Sequence, residues 1–386
     1  MPAEGLVNDL SFVSPPRVVE PIYSCSDAVF VVGIVPGAVV EVLVNGALKA
    51  QNFSAGTALG FHLGTPFGGG EVVEATQTID AATSDKSNAA PVADFTETFS
   101  QGLPRPQIYI APFFECGAAI GMANFLGGAT LFFEGSASPN DLGSRQNDGN
   151  PRSGGIVTAR PFELGEMLTG HYEFCQLPSD DAEAHPVVPE PDEIPPPIVE
   201  EPYEGMRTVF VSNLLHGARV TVFVNGQERM TVYQSGIAAH IPISPPLAVG
   251  DSVTAQQALC SESDPSSDVR VRPCASLPAP RIRRPLPGDQ FVVVTHAVPG
   301  ARIQVYDEQG IEIGDGAGDR VVLDRPLVPV ERVRVVQEVG GCRSQMAYEI
   351  HVDCGPKSRN EIDLLNLLRE RKRRRGETSL SANACR

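Results

Sequence analysis

Short runs of this chain alternate between hydrophobic and polar positions, the pattern of a β-strand with one buried face. In the stretch 38–44, one face holds only Val40, Val42 and Val44, which suits a core between two sheets. Asn45–Gly46 follows at once, and these residue types accept the positive φ of a tight hairpin turn. The pattern predicts a strand over 38–44 that ends in a hairpin.

The same phrase recurs along the chain. Its copies are VPGAVVEVLVNG at 35–46, LGGATLFFEG at 126–135, HGARVTVFVNG at 216–226 and VPGARIQVYDEQG at 298–310. A second alternating phrase follows the first and third copies, as GEVVEATQ at 70–77 and GDSVTAQQ at 250–257, with looser versions in the other two. A proline-rich phrase precedes every copy, and because proline cannot donate to a central ladder it suits an edge strand or a joint.

One aligned position lies twelve residues before the glycine of each Gly-Ala pair. It is occupied by Cys25, Cys116, Gly205 and Gly288. The repeats are about 80–90 residues long and consist of short strands joined by Gly, Pro, Asn and Asp turns, which is typical of β-sandwiches.

The predicted fold is therefore all-β, with four tandem immunoglobulin-like β-sandwich domains and a short basic C-terminal helix. The predicted segments are an N-terminal extension (1–14), unit 1 (15–102), a divergent unit 2 (103–178), an acidic proline-rich linker (179–194), unit 3 (195–277), unit 4 (278–355) and a basic tail (356–386).

The proline opening, the Pro-Gly-Ala turn, the V-x-V-x-V-N-G strand and the G-D-x-V-x-A-x-Q strand resemble bacterial immunoglobulin-like repeats. The resemblance covers roughly residues 15–355 and is weakest in unit 2, where Glu134–Gly135 replaces Asn-Gly. It implies similar modules strung in tandem on secreted or surface chains. It transfers no catalytic residue, because a fold alone does not assign a function.

Composition narrows the classes of partner. The 386 residues carry a formal net charge of −17, which disfavours a nucleic-acid partner for the main body. The 37 glycines and 34 prolines suit a turn-rich β protein. The sequence contains no apolar run of about 18 residues, so no membrane-spanning helix is predicted.

Cysteines are predicted to form disulfides rather than a zinc site, since no Cys-x-x-Cys or zinc-type Cys-His spacing occurs. The candidates are Cys260 with Cys274, Cys342 with Cys354, and Cys116 with Cys175. The first two pairs would each staple a hairpin at the end of a unit, and the third would join two strands of unit 2. Cys25 has no evident partner.

Disulfides imply an oxidising compartment, and the predicted location is extracellular or on the cell surface. Residues 1–16 lack a basic start followed by an apolar run, so no ordinary signal peptide is predicted. A non-standard export route, a larger precursor or reduced cysteines would each reconcile the two observations.

Two charged segments have several interpretations. The acidic linker is interpreted as a solvated, extended spacer, with an acidic docking strip or a loose calcium-attracting segment as alternatives. The tail combines an apolar stripe with a basic cluster, Arg369, Arg371, Lys372, Arg373, Arg374 and Arg375. The alternatives for this tail are a solvated helix, a membrane-surface contact, a nucleic-acid contact, a processing site or docking on the acidic linker.

No catalytic constellation is found, so the chain is predicted not to be an enzyme and to need no cofactor. Binding is expected on variable loops such as 136–155. The binding candidates are Tyr109, Asn140, Asp141, Asn147, Asp148 and Asn150. Asp315 and Asp319 are candidates for a Ca²⁺ site, although Asx-rich loops usually reflect turn chemistry.

The preferred function is a non-catalytic module for display, adhesion or spacing, with a protein or glycan ligand. The alternative is a set of carbohydrate-binding modules that accompany a hydrolase. Aromatic residues make up only 6% of the chain and tryptophan is absent, which counts against the aromatic platforms of such modules. A catalytic domain hidden in unit 2 is the weakest hypothesis.

Overall fold

The computed structural model of the protein describes residues 13–351, apart from residues 55, 80, 109–111, 138–140, 152–153, 329–330 and 347–349. Tyr109, Asn140, Cys354 and the predicted tail with its helix and basic cluster lie outside the described residues. The described part is an all-β protein whose sheets form sandwich-like pairs.

Unit 1 has two sheets around one core. Its strands are β1 (Arg17–Val18), β2 (Ile22–Tyr23), β3 (Ala28–Val32), β4 (Val39–Val44), β5 (Ala47–Phe53), β6 (Ala58–His62), β7 (Val72–Ile79), β8 (Ala82–Thr83) and β9 (Ala90–Ala93). One sheet has the order β1-β3-β6, and the other has the order β2-β9-β7-β4-β5 with β8 paired to β7. Val40, Val42 and Val44 are buried between the sheets, which confirms the predicted valine face.

Unit 2 repeats this plan after a short helix, α1 (Phe95–Thr98). Its strands are β10 (Gln107–Ile108), β11 (Phe113–Phe114), β12 (Ala119–Ala123), β13 (Thr130–Gly135), β14 (Asp141–Gln146), β15 (Gly154–Val157), β16 (Met167–Phe174), β17 (Leu177–Pro178) and β18 (His185–Val188). The sheet orders are β10-β12-β15 and β11-β18-β16-β13-β14, with β17 paired to β16.

Unit 3 has smaller sheets, β19-β20-β23 and β22-β21-β24-β25. Its strands are β19 (Ile198–Val199), β20 (Thr208–Ser212), β21 (Arg219–Val224), β22 (Gln227–Tyr233), β23 (Ala238–Pro242), β24 (Ser252–Ala258) and β25 (Val269–Arg270). A 3-10 turn at Cys274–Ser276 leads into the next unit.

Unit 4 contains sheets β26-β27-β30 and β29-β28-β31-β32, with β33 paired to β31. Its strands are β26 (Arg281–Ile282), β27 (Phe291–Thr295), β28 (Arg302–Tyr306), β29 (Glu312–Ala317), β30 (Arg320–Val322), β31 (Arg332–Val339), β32 (Cys342–Arg343) and β33 (Ile350–His351). Each proline phrase supplies the outermost strand of a three-stranded sheet, namely β1, β10, β19 and β26.

The recurring phrases are coupled by hydrogen bonds within a unit. In the Asn-Gly turn of unit 1, Asn45 has φ 51° and its Oδ1 accepts from Val72 N at 3.0 Å. In unit 3, Asn225 has φ 54° and accepts from Ser252 N at 2.9 Å. Each asparagine therefore ties its hairpin to the start of the next long strand, which explains why the two phrases occur together.

A buried glutamine ends the second phrase in three units. Gln77, Gln257 and Gln337 are each 0% exposed. Each carboxamide accepts from a turn N–H and donates to a carbonyl at the start of its unit, namely Ser14 O just before the first proline phrase, Pro195 O or Pro278 O. In unit 2, Tyr172 takes this place and its hydroxyl donates to Pro104 O at 3.0 Å. The side chain thus pins the first residues of a unit to its central strand.

The acidic linker is not only a spacer, so that prediction is wrong in part. Strand β18 lies within 179–194 and pairs with β11 in parallel and with β16 antiparallel. Val187 is 2% exposed and Ala182 is 3% exposed, so both contribute to the core of unit 2. Alternate residues of His185–Val188 point inward, and the surrounding prolines and acidic residues conceal this short pattern.

Hydrophobic interiors are not fully separate from unit to unit. Units 1 and 2 have distinct clusters of buried residues, whereas the buried residues of units 3 and 4 form one continuous cluster. Four tandem sandwiches are expected to enclose four interiors, whereas units 3 and 4 share one continuous cluster. That the units are independent domains stays a prediction.

Candidate functional site at the junctions between units

The same two structural elements meet wherever one unit is followed by the next. The first is the turn after the second short strand of a unit, and the second is the hairpin tip at the end of the long strand of the following unit. The aligned turn residues Cys25, Cys116, Gly205 and Gly288 all have positive φ, between 62° and 87°. This supports the sequence alignment and shows that the position is a sharp turn in every unit.

Disulfides join consecutive units at these elements. Cys25 bonds Cys175 with their Cα atoms 5.6 Å apart, and Cys116 bonds Cys260 with their Cα atoms 5.1 Å apart. Both separations lie in the usual range for a disulfide. Each bond connects the turn of one unit to the hairpin tip of the next unit.

The junction between units 3 and 4 is a variation on this arrangement. A Cβ added to Gly205 would overlap the backbone oxygen of Gly340, so two glycine backbones lie where the other junctions have sulfur. Cys342 lies two residues further on, its Sγ 3.2 Å from Glu204 O, and bonds Cys274 with their Cα atoms 4.8 Å apart. The third disulfide again crosses between units.

All three predicted disulfide pairings need correction. The pairs Cys116–Cys175 and Cys260–Cys274 are wrong because each of these cysteines bonds a residue of another unit. Cys342 bonds Cys274, which excludes a bond to Cys354. The prediction that Cys25 has no evident partner is also wrong. Cys25, Cys116, Cys175 and Cys260 lie in turns, Cys274 begins a 3-10 turn and Cys342 begins β32, and all six bond the neighbouring unit and not the opposite strand of their own hairpin.

The glycine of the Gly-Ala anchor also belongs to the junctions. A Cβ on Gly128 would overlap Ser26 Oγ, and Ser26 Oγ donates to Gly127 O at 3.3 Å. At the next junction, Ala118 N donates to Gly217 O at 2.9 Å. At two copies of the anchor, a backbone carbonyl is therefore hydrogen-bonded by the preceding unit.

Residues before and after unit 2 strengthen its junctions. Phe95 of α1 packs on Phe174 with ring centroids 5.2 Å apart, and Tyr23 of unit 1 lies 4.9 Å from Phe99. This aromatic cluster fills the space between units 1 and 2.

On the other side of unit 2, the carboxylate of Glu190 lies against the hairpin tip of unit 3. Its Oε2 accepts from Cys260 N at 3.1 Å and from Ser261 N at 3.0 Å. Its own backbone N–H donates to Glu115 Oε1 at 3.3 Å. The segment predicted as a linker thus holds the second junction beside its disulfide.

Unit 1 also touches unit 4, although they are far apart in sequence. Val13 belongs to the core of unit 1, and the adjacent Ser14 makes the contact. Ser14 N donates to Asp315 O at 3.1 Å, and Asp315 N donates to Ser14 Oγ at 2.8 Å. Ser14 Oγ in turn donates to Val322 O at 2.7 Å, and Ser14 is 2% exposed. We call this contact the closure, because it brings the first unit back onto the last.

A cleft of about 630 Å³ lies where units 1, 2 and 3 come together. Its exposed apolar side chains are Val157, Tyr233 and Ile237, which are 58%, 39% and 63% exposed. Arg145 and His216 supply polar groups, and the His216 ring Nδ1 donates to Ser235 O at 2.9 Å. The cleft is a mixed surface with an aromatic side chain at its wall.

Three of the binding candidates line this cleft, and their contacts give them a structural role between the units. Asn147 is buried, and its Oδ1 accepts from Gly149 N at 3.0 Å. Asp148 packs against unit 1, where a Cβ on Gly60 would overlap its side chain. Asn150 also borders the cleft. The three residues form a turn wedged between units.

The loop prediction for 136–155 is wrong over much of its length. Strand β14 and the start of β15 occupy it, and Leu142 is fully buried. Asp141 begins β14, where its Oδ1 accepts from Gly143 N at 2.7 Å. The many Asn and Asp residues of this stretch concealed a strand with one inward-facing leucine.

The two candidate Ca²⁺ ligands have different surroundings. Asp315 is 0% exposed and its carboxylate is ion-paired with the Arg302 guanidinium, while Asp319 is exposed in the following turn. Burial, partly offset by Arg302, raises the pKa of Asp315. A Ca²⁺ site at these residues stays a sequence prediction, and its first carboxylate already has a cationic partner.

Within the part of the chain that the structure describes, one group of three potential metal-ligand atoms lies within 4.8 Å of one another. It consists of Glu204, Cys274 and Cys342. The two sulfur atoms of this group are joined in a disulfide, so they are not thiolate ligands.

No protein-family model matches the chain. No curated protein matches it either. Among the described residues, no helix has the length and apolar character to cross a membrane.

Solved structures similar to the chain consist of immunoglobulin-like or fibronectin-type-III modules. The BSP domain of a biofilm-associated protein is 11% identical with a TM-score of 0.23, covering 90% of this chain and 97% of that one. The FN1–FN3 domains of chicken CNTN1 are 11% identical with a TM-score of 0.21, covering 65% and 99%. The central fibronectin-III array of RIM-binding protein is 11% identical with a TM-score of 0.19, covering 67% and 97%. The β-sandwich architecture of this chain rests on the sheet topology given above.

Proposed function

We propose that the chain is a non-catalytic tandem β-sandwich protein that works outside the cell or on its surface as a display, adhesion or spacer module. The observation that carries this proposal is that each of the three disulfides joins consecutive units. Disulfides persist in oxidising compartments, which supports an extracellular location.

Covalent junctions would suit a module that bears mechanical load. Tandem domains joined only by linkers are expected to move relative to one another. Here the junctions combine a disulfide with backbone contacts such as Ala118 N to Gly217 O, so a surface on one unit keeps its position relative to the next. An adhesive or spacer protein needs this property, because flexible joints would lose both reach and orientation.

The pairing determines how far the chain extends under force. Pulled from its ends, the oxidised chain carries load from Cys25 to Cys175, back to Cys116, across to Cys260, and on through Cys274 to Cys342. About 240 residues are thereby shielded, which at about 3.5 Å per residue is about 800 Å of hidden length. The pairings predicted from the sequence would hide only about 300 Å.

Single-molecule pulling of the full chain tests the proposal. We expect the oxidised chain to reach a contour length about 800 Å shorter than that of the chain in reductant. The matched control is the Cys116→Ser/Cys260→Ser variant, which loses only the central junction and should recover part of the hidden length. Equal lengths with and without reductant would overturn the proposal of a covalently locked load-bearing module.

Carbohydrate binding is the second candidate, and the cleft between units 1, 2 and 3 favours it. Tyr233 is 39% exposed at the cleft and offers the aromatic face that sugar rings stack on. A glycan array with the oxidised chain tests this directly. Binding that is lost in Tyr233→Ala, and kept when the exposed Phe53 of unit 1 is replaced by Ala, would favour this candidate over a pure spacer.

A further inference from the structure

A cluster of polar side chains is buried on the sheet of unit 4 that bears the closure. Glu312 on β29 is 7% exposed, Gln304 on β28 is 4% exposed and Tyr306 on β28 is 2% exposed. Burying a carboxylate is costly unless its oxygen atoms are all partnered. The hydrogen bonds of Glu312 therefore indicate the charge that it carries.

The two carboxyl oxygens of Glu312 have unequal surroundings. Oε2 accepts from Gln304 Nε2 at 2.9 Å and from Tyr306 OH at 3.1 Å. Oε1 is buried with no hydrogen-bond partner, and so is Gln304 Oε1. An ionised carboxylate has two equivalent acceptors, whereas a neutral acid has one acceptor oxygen and one O–H donor. Two donors on one oxygen and none on the other is the pattern of a neutral acid.

We propose that Glu312 holds a proton on Oε1 and donates a hydrogen bond through it to Gln304 Oε1. This bond keeps the closure between units 1 and 4 in place. One proton would satisfy both orphaned oxygens at once. With the existing Gln304 Nε2 bond, it would complete a cyclic acid–amide pair.

Charged groups around the pair act in both directions. Burial, followed by the negative charge of Asp315, raises the pKa of Glu312 to about 7, and Arg302 opposes the shift. Arg343 donates to Tyr306 OH at 2.7 Å. Neutral Glu312 thus avoids a second negative charge beside Asp315.

Further charges lie on the strands that flank β28 and β29. Glu338 on β31 faces Arg302 across the ladder and adds negative charge near Asp315. On β30, Arg320 stacks over the Phe291 ring at 3.5 Å and is itself exposed. From unit 1, Arg17 lines the neighbouring cleft. These groups belong to the same surface but make none of the hydrogen bonds to the acid–amide pair.

The strand that carries Glu312 also holds the closure. Asp315, three residues along β29, bonds Ser14 through both its N–H and its C=O. If the proton leaves, two buried acceptors are left without a donor and β29 gains a charge near Asp315. Separation of β29 from β28 relieves both costs, and it would displace the strand to which Ser14 is bonded.

The sign of the pH effect follows from linkage. In the closed state, with Ser14 bonded to β29, Glu312 has a pKa of about 7, whereas a solvated glutamate in the open state has the ordinary value of 4.5. The closed state therefore binds the proton more tightly. The stabilisation that the Glu312 proton gives to the closed state is complete below pH 4.5 and is lost as pH rises to about 7. The opening equilibrium therefore rises by up to about tenfold per pH unit across this window and levels off above it.

Hydrogen exchange at Asp315 N, in the oxidised full chain, tests the proposal between pH 5 and 9 after correction for intrinsic rates. We expect protection to fall across the window in the wild type. Glu312→Gln carries a permanent N–H donor in place of the acid, so its protection should not vary with pH. Glu308→Gln is the matched control, because Glu308 is exposed on the adjacent turn, and it should behave as the wild type.

An infrared measurement supplies a second readout. At pH 6 the wild type should show a protonated-carboxyl band that is reduced in Glu312→Gln and kept in Glu308→Gln. Ser14→Ala should lower protection at every pH while keeping the band. Flat protection in the wild type, unchanged pH dependence in Glu312→Gln, or an undiminished band in that variant would overturn the proposal.

Discussion

The buried glutamine at the end of the second phrase gives the sharpest test of why the repeat has its sequence. Gln257 is 0% exposed and makes three hydrogen bonds through its side chain. It accepts from Leu215 N at 2.8 Å and donates to Pro195 O at 2.7 Å and to Asn213 O at 3.0 Å. Gln257→Leu keeps a similar volume and removes all three bonds.

The expected loss follows from these contacts. A typical intramolecular hydrogen bond contributes about 1 kcal/mol net, so three bonds give about 3 kcal/mol. The substitution also leaves one backbone N–H and two carbonyls without their partner, and an unsatisfied buried group costs about 1–3 kcal/mol. Local relaxation and water access reduce this second cost, so we expect unit 3 to lose about 3–5 kcal/mol.

The assay must report on unit 3 alone, because a chain of several units does not unfold in one step. Hydrogen exchange across a urea series, read at the amide of Leu215 and at peptides of β21 and β24, gives that local stability. Gln227→Leu is the matched control, since Gln227 is exposed at the start of β22, and it should stay within about 0.5 kcal/mol of the wild type. If Gln257→Leu unfolds at the same urea concentration as this control, the proposed locking role is wrong.

Two further substitutions test the junctions and the buried ion pair. Gly128→Ala should destabilise the junction between units 1 and 2 by about 1–3 kcal/mol more than Gly226→Ala destabilises unit 3. Both glycines have positive φ, but only a Cβ on Gly128 would clash, with Ser26 Oγ. Equal losses in thermal unfolding would contradict a packed junction. Arg302→Met should cost unit 4 about 3–5 kcal/mol by leaving the Asp315 carboxylate buried without its partner, and adding Asp315→Asn should recover part of that loss in urea unfolding. A double variant that is no more stable than Arg302→Met would show that the buried charge is not the cause.

Local patterns were enough to predict the recurring strand and turn phrases of units 1 and 3. The valine face at 38–44, the positive φ of Asn45 and Asn225, and the edge position of the proline phrases all follow from short-range rules. These features depend on residues within one hairpin, so no knowledge of the neighbouring unit is needed.

The junctions could not be predicted in the same way. A disulfide depends on which turns meet in space, and the nearest cysteine in sequence was therefore the wrong partner for Cys260. One signal was present, because Cys25 and Cys116 occupy aligned positions and a shared position implies a shared kind of partner. Strand β18 was concealed by prolines, and the closure through Ser14 depends on the path of four units, which no local pattern contains.

The pairing of the cysteines is the most direct test of the account as a whole. Mass mapping of peptides from the non-reduced chain should recover Cys25 linked to Cys175, Cys116 to Cys260, and Cys274 to Cys342. A peptide that links Cys260 to Cys274 would place the staples inside the units and contradict the covalent junctions.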